Sequence, residues 1–146
     1  MQSIEDRFAI EDLLRAYALA MDFGDIEAVP ALFTADGSVR DVQGRLWDAA
    51  AGGPRAFAAR WIVLPGAKRG QHWIQHMRAE RLADNAYRLL SYWSATQWLP
   101  NSPAPVTGAL GLYTDTVVRE DGRWLIQEKV IDRWETGSPG VLPTTD

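Results

Sequence analysis

The chain has 146 residues and a formal net charge of −4, with 47% hydrophobic and 23% charged residues. This length suits a single domain over 1–146, and the composition is typical of a globular protein rather than a disordered one. The acidic balance gives no basic face for nucleic acid, and the absence of Cys excludes disulfides, zinc–thiolate sites and a cysteine nucleophile. No apolar run reaches the length of a membrane span and no signal-peptide pattern is present, so we expect a cytoplasmic protein.

Helical patterns occupy the first 63 residues. The segment 3–6 resembles a capping box, and an apolar stripe follows it, so the sequence predicts a helix over 4–22 that stops at Gly24. Asp25 favours a second, short helix that is interrupted by Pro30. After it we expect a turn over 35–37 and a short strand over 38–43. Pro54 suits the first turn of a third helix, which is predicted over 54–63.

From residue 71 onward the apolar period changes from helical spacing to alternation, which predicts strands over 71–82, 86–99, 106–119 and 123–134. The turns at 83–85 and at Asp121–Gly122 predict hairpins, and the tail from 135 is expected to be irregular. Gly108 and Gly111 predict bends or bulges that curl the sheet. Helices first and strands afterwards predict an α+β fold, in which three N-terminal helices pack on a curved antiparallel or mixed sheet and enclose a pocket.

Four segments in this order resemble the SnoaL-like and scytalone dehydratase-like branch of the nuclear transport factor 2-like superfamily. They are YALAMDFGD at 17–25 with ALFTAD at 31–36, QHWI at 71–74, GLYTD at 111–115 with REDGRWLI at 119–126, and KVIDRW at 129–134. The resemblance implies a cone-shaped α+β barrel whose pocket has an Asp at the end of the first helix and a His on a middle strand. Dehydratases, a dehydrochlorinase and related lyases carry this pair, in which the His takes a proton and the Asp orients it. Those positions are Asp22 and His72 here.

The chemistry of the two residue types fits that role. An unperturbed histidine has a pKa of about 6.5, near working pH, and a carboxylate on its other ring nitrogen fixes the tautomer. The plainer alternatives are that His72 is a hydrogen-bonded core residue and Asp22 a surface acid at a helix end. His76 lies four residues further along the strand, about 13 Å from His72 at about 3.3 Å per residue, so a shared metal ion is not expected. We expect no cofactor and no metal.

Aromatic and polar residues supply candidates for substrate binding. Tyr17 and Tyr113 are candidate hydroxyl donors to a substrate carbonyl, although core packing explains Tyr17 equally well. Trp93 and Trp98 are five residues apart, and an odd spacing on a regular strand sends two side chains to opposite faces, so only one of them can line the pocket. Gln97 stands where scytalone dehydratase has a second pocket histidine, and Met21 and Asp41 stand where it has tyrosines, which argues against scytalone as the substrate. The candidate substrate-binding residues are Tyr17, Trp61, His76, Trp93, Gln97 and Tyr113.

Together these features favour a cofactor-independent lyase of the dehydratase type, or an isomerase, acting on a small, largely apolar, hydroxylated cyclic substrate. The alternative is a non-catalytic ligand-binding module or a protein like the β subunit of aromatic-ring dioxygenases. The expected partners are a small-molecule substrate and further copies of the chain, since the resemblance implies a dimer or trimer. Neither nucleic acid nor a membrane is expected as a partner.

Overall fold

The computed structural model describes residues 3–62, 70–99 and 101–135, without the side chain of His76. It contains two α-helices, α1 (Ile4–Phe23) and α2 (Gly53–Ile62), and two short 3-10 turns, Pro30–Leu32 and Ala49–Ala51. The six strands are β1 (Phe33–Arg40), β2 (Leu46–Trp47), β3 (Gly70–Ala83), β4 (Ala86–Gln97), β5 (Val106–Glu120) and β6 (Arg123–Arg133). In the described residues, no helix combines the length and the apolar character needed to cross a bilayer.

The strands form one sheet in the order β2-β1-β6-β5-β4-β3. Strands β3 to β6 are an antiparallel meander, whereas β1 pairs in parallel with β6 and antiparallel with β2. Register shifts within β3, β4 and β5 mark bulges, which bend a sheet locally. The expected α+β cone with a curved mixed sheet is confirmed.

Helix α1 begins and ends where its sequence predicts. The Ser3 hydroxyl accepts a hydrogen bond from the backbone N–H of Asp6 at 3.0 Å, which caps the first turn. Gly24 ends the helix in the left-handed conformation with φ 75°, which costs glycine little. Ile10, Leu14 and other residues of the apolar stripe are buried against the sheet. The packing of α1 on β3 places the last turn of the helix beside the first residues of β3.

Other boundaries differ from the prediction. The predicted second helix is only the 3-10 turn Pro30–Leu32, because Pro30 has no N–H for a helical hydrogen bond and strand β1 already starts at Phe33. The predicted turn over 35–37 is wrong, since these residues lie inside β1, where its register with β6 shifts. Strand β4 ends at Gln97 rather than at residue 99. Both hairpins are confirmed, and the irregular tail predicted beyond residue 135 lies outside the described residues.

Candidate active site

A cavity of about 560 Å³ lies between the two helices and the inner face of the sheet. It brings together Asp22, His72 and five of the six predicted substrate-binding residues, namely Tyr17, Trp61, Trp93, Gln97 and Tyr113. The side chain of His76, the sixth, lies outside the described residues. Trp98 is half-exposed beyond the end of β4, and its indole N–H donates to the carbonyl of Ser102 at 3.2 Å. Of the two tryptophans at odd spacing, Trp93 therefore lines the cavity.

Asp22 and His72 are joined by three hydrogen-bond contacts. The backbone N–H of His72 donates to both carboxylate oxygens of Asp22, at 3.0 and 2.9 Å, and Nδ1 of the ring lies 2.6 Å from Oδ1. A carboxylate can only accept, so the ring proton belongs on Nδ1 and the lone pair on Nε2. The His72 side chain keeps 26% of its surface exposed, so its ring is reachable. The arrangement can therefore accept a proton at Nε2 from a molecule in the cavity.

Three aromatic rings form a continuous layer on the cavity side of α1 and the sheet. The Trp93 ring stacks on Tyr113 with centroids 5.3 Å apart, and Tyr17 meets Tyr113 edge to face at 6.3 Å. Burial raises the pKa of the Tyr113 phenol, and the negative charges of Asp115 and Asp22 raise it further. Burial likewise raises the pKa of Tyr17. Both phenols therefore stay protonated at neutral pH.

A buried ion pair lies behind this layer, and the sequence reasoning missed it. Lys129 of β6 and Asp115 of β5 are register partners, and neither side chain has any exposed surface. The ammonium lies 2.9 and 3.1 Å from the two carboxylate oxygens of Asp115. Burial lowers the pKa of Lys129 and raises that of Asp115, and each charge opposes the shift of the other. The alternation along β5 could have indicated it, because Asp115 lies two residues from each of the inward residues Tyr113 and Val117 and therefore on the same face of the strand.

Asp41 lines the cavity but is occupied by structural hydrogen bonds. Its carboxylate accepts the indole N–H of Trp47 at 2.8 Å and the backbone N–H groups of Gln43 and Arg45 at 2.9 and 3.0 Å. Burial alone raises the pKa of Asp41, but these hydrogen bonds outweigh burial and hold it below its ordinary value. The indole N–H of Trp61 is buried and makes no hydrogen bond of normal geometry, although it also helps to lower the pKa of Asp41. Asp41 is thus an anchor of the β1–β2 turn rather than a proton carrier.

Two polar side chains outside the Asp22–His72 pair also line the cavity. Arg133, at the end of β6, lines the cavity and was missed by the sequence reasoning. Its even spacing from Lys129 and Ile131 places all three residues on the same face of the strand. Gln97 lies across Gly108, where any Cβ would overlap the Gln97 amide. The cavity lining therefore includes a guanidinium and an amide as well as aromatic rings.

A protein-family model described as the SnoaL-like domain matches residues 2–130. The chain belongs to the SnoaL-like domain family. No match was found among curated protein sequences.

Solved structures with the same fold accompany this family match. Aln2 from a Streptomyces species is 24% identical with a TM-score of 0.76, over 90% of this chain and 92% of that one. A candidate aromatic ring hydroxylase from Novosphingobium aromaticivorans is 25% identical with a TM-score of 0.76, over 92% and 93%. A candidate scytalone dehydratase from the same species is 17% identical with a TM-score of 0.75, over 98% and 97%. These SnoaL-like neighbours share the fold and differ in the activities that their names suggest.

Proposed function

We propose that this SnoaL-like chain is a cofactor-independent lyase of the dehydratase type, or an isomerase, in which His72 and Asp22 act as the acid–base pair. The observation that carries the proposal is the contact of 2.6 Å between Nδ1 of His72 and Oδ1 of Asp22 in the wall of an aromatic cavity. A histidine held in this way at one ring nitrogen has the other available for proton transfer.

The reaction starts with removal of a proton from the carbon next to a substrate carbonyl by Nε2 of His72. The electron pair moves onto the carbonyl oxygen, and the hydroxyls of Tyr17 and Tyr113 donate to the resulting enolate. In a dehydration, the enolate re-forms the carbonyl, expels a β-hydroxyl, and the imidazolium returns its proton to the leaving oxygen to give water. In an isomerisation, the proton returns to another carbon. Asp22 stabilises the imidazolium in both cases.

The cavity favours a small cyclic substrate. Its volume of about 560 Å³ falls within the about 300–1,000 Å³ of ligand pockets, which are mostly apolar with a few polar groups. Phe57, Trp61 and Trp93 supply the apolar surface, and Gln97 offers an amide to a hydroxyl or carbonyl. One structural neighbour is named as a candidate scytalone dehydratase, which agrees with elimination chemistry on a hydroxylated ring.

The proposal is tested by proton exchange, which needs no knowledge of the product. A panel of hydroxylated cyclic ketones is incubated with the protein in D₂O, and NMR follows deuterium at the carbon next to the carbonyl while mass spectrometry follows loss of water. We expect His72→Ala to slow exchange by about 10²–10⁴-fold, and Asp22→Asn by about 10³–10⁴-fold because the amide no longer selects the tautomer.

Asp12→Asn is the matched control, since Asp12 lies on the exposed face of the same helix with 75% of its side chain exposed. Its exchange rate should equal that of the wild type. Unchanged exchange in both His72→Ala and Asp22→Asn contradicts the proposed pair. Tight ketone binding by the wild type without exchange or product identifies the chain as a ligand-binding module instead.

A further inference from the structure

The buried pair formed by Lys129 and Asp115 is not explained by stability. Two fully buried charges lose their hydration, and replacing such a pair by apolar residues of similar volume often leaves a protein as stable or makes it more stable. Their register neighbour on β4 is Leu89, which is also fully buried, so an apolar pair is compatible with the surroundings. The role of the pair therefore follows from the contacts that the Lys129 ammonium makes with its neighbours.

The ammonium of Lys129 is shared by two tyrosine rings. Nζ lies 3.8 Å from the ring centroid of Tyr113 and 4.3 Å from that of Tyr17, over the face of each ring. The two rings belong to different elements, α1 and β5, and meet at an interplanar angle of 88°. A desolvated cation over a ring face attracts that ring electrostatically, so the one ammonium attracts both tyrosine rings. Asp115 fixes the ammonium in turn through both carboxylate oxygens.

The cavity is lined by the tyrosines and not by the ion pair. A molecule in the cavity therefore touches Tyr17 and Tyr113, and Lys129 acts on it only through them. We infer that Lys129, held by Asp115, is a positioning residue that aims the two tyrosine hydroxyls at one point and so builds a binding site for an oxyanion, such as the enolate oxygen of the substrate. This inference rests on the proposed function, because it assigns the oxygen on which negative charge develops during proton removal.

The test uses 4-nitrophenol as a probe, because its phenolate absorbs at longer wavelength than the neutral phenol. The probe is titrated with the wild-type protein about one pH unit below the pKa of the free probe. We expect about half of the bound probe to be phenolate, against about a tenth of the free probe, because an affinity for phenolate about tenfold above that for phenol corresponds to a pKa change of about one unit. The same spectra are recorded for the apolar double variant Lys129→Met/Asp115→Leu.

A positioning role and a merely structural role predict opposite results for this double variant. If the pair positions the hydroxyls, the preference for phenolate disappears while the melting temperature stays equal or rises. If the pair is only structural, the melting temperature falls and the folded fraction keeps the phenolate preference. Lys129→Gln/Asp115→Asn, which keeps the volume and the hydrogen bond but no charge, gives the same distinction if the apolar variant does not fold.

Two further variants separate the inference from its alternatives. Tyr113→Phe should lose the phenolate preference, and adding it to the apolar double variant should cause no further loss, because effects that act through one group are not additive. Leu89→Val perturbs the packing beside Asp115 without changing charge and should keep the preference.

A phenolate preference that survives in both neutral double variants overturns the inference, as does its absence in the wild type. The probe titration involves no proton removal from carbon, so a protein that fails the proton-exchange assay but keeps the phenolate preference fails only the proposed function.

Discussion

Gly111→Ala tests the packing that holds the aromatic layer in place. Gly111 on β5 lies between its register partners Trp93 on β4 and Arg133 on β6. The Trp93 indole crosses over Gly111 and donates its N–H to the carbonyl of Asp132 at 3.0 Å. A Cβ at residue 111 would overlap the carbonyl oxygen of Asp132 and lie 3.0 Å from Nε1 of Trp93. The substitution therefore forces β6 and Trp93 away from β5.

The magnitude follows from two terms. Overpacking of this kind costs about 1–3 kcal/mol, and loss of the indole hydrogen bond costs about 1 kcal/mol. The clash involves backbone on the adjacent strand, which is paired and has no rotamer to relieve the contact. We therefore expect a loss of about 2–4 kcal/mol, or about 5–15 °C in melting temperature for a chain of this size.

Thermal melts followed by far-UV circular dichroism measure this loss, and near-UV dichroism follows the stack of Trp93 on Tyr113. Gly70→Ala is the matched control, because Gly70 is also a strand glycine but a Cβ there meets its nearest atom, the carbonyl oxygen of Thr96, at an ordinary 3.4 Å. Its melting temperature should stay within about 1 °C of the wild type. If Gly111→Ala melts with the control, the close approach of β5 and β6 inferred from the structure is incorrect.

Three other predictions concern the cavity and the outer face. Tyr113→Phe keeps the ring but removes the donor, so proton exchange in D₂O should fall by about 10²-fold with little change in melting temperature. Asp41 has a lowered pKa, so it stabilises the fold above the pKa of the unfolded chain, about 3.9, and this stability is lost as pH falls through the folded pKa. Melts from pH 7 to 2.5 should show Asp41→Asn less stable than the wild type near neutrality, because the one amide oxygen cannot accept all three N–H groups that the carboxylate accepts. The difference should shrink as pH falls. Trp73 and Leu110 expose apolar surface on the outer face of the sheet, and if a dimer or trimer forms there, Trp73→Glu should sediment as a monomer.

The local parts of the fold are predictable because their signals lie in neighbouring residues. The bounds of α1 follow from the Ser3 cap, the apolar stripe and Gly24, and the last hairpin follows from Asp121–Gly122. The parallel pairing of β1 with β6 is different, because it joins residues such as Val39 and Lys129 that are far apart in the chain. No turn sequence specifies such a pairing. In β1 the residues 35–37 lie in a register shift, where the pairing advances five residues on β1 and two on β6.

The candidate site divides in the same way. Asp22 and His72 are 50 residues apart, and only the packing of α1 on β3 makes them neighbours. Family resemblance could suggest this pair, but neither periodicity nor spacing could place it. The positions of Arg133 and Lys129 could have been predicted, since both lie two residues from the apolar Ile131 and so on the same face of β6. A charged residue on that face contradicts the usual rule that charges face water.

The charged residues on the inward face are confined to one end of the sheet. At the end near the β5–β6 hairpin, the inward residues are apolar, as in Tyr87, Val117 and Ile126, and they pack into the main core. Toward the opposite end the inward positions carry Asp115 and Lys129 and then the cavity itself. Local rules of patterning are broken in natural proteins mainly at functional or strained sites. The sheet thus divides into one end whose inward residues form the apolar core and another that carries the buried ion pair and the cavity.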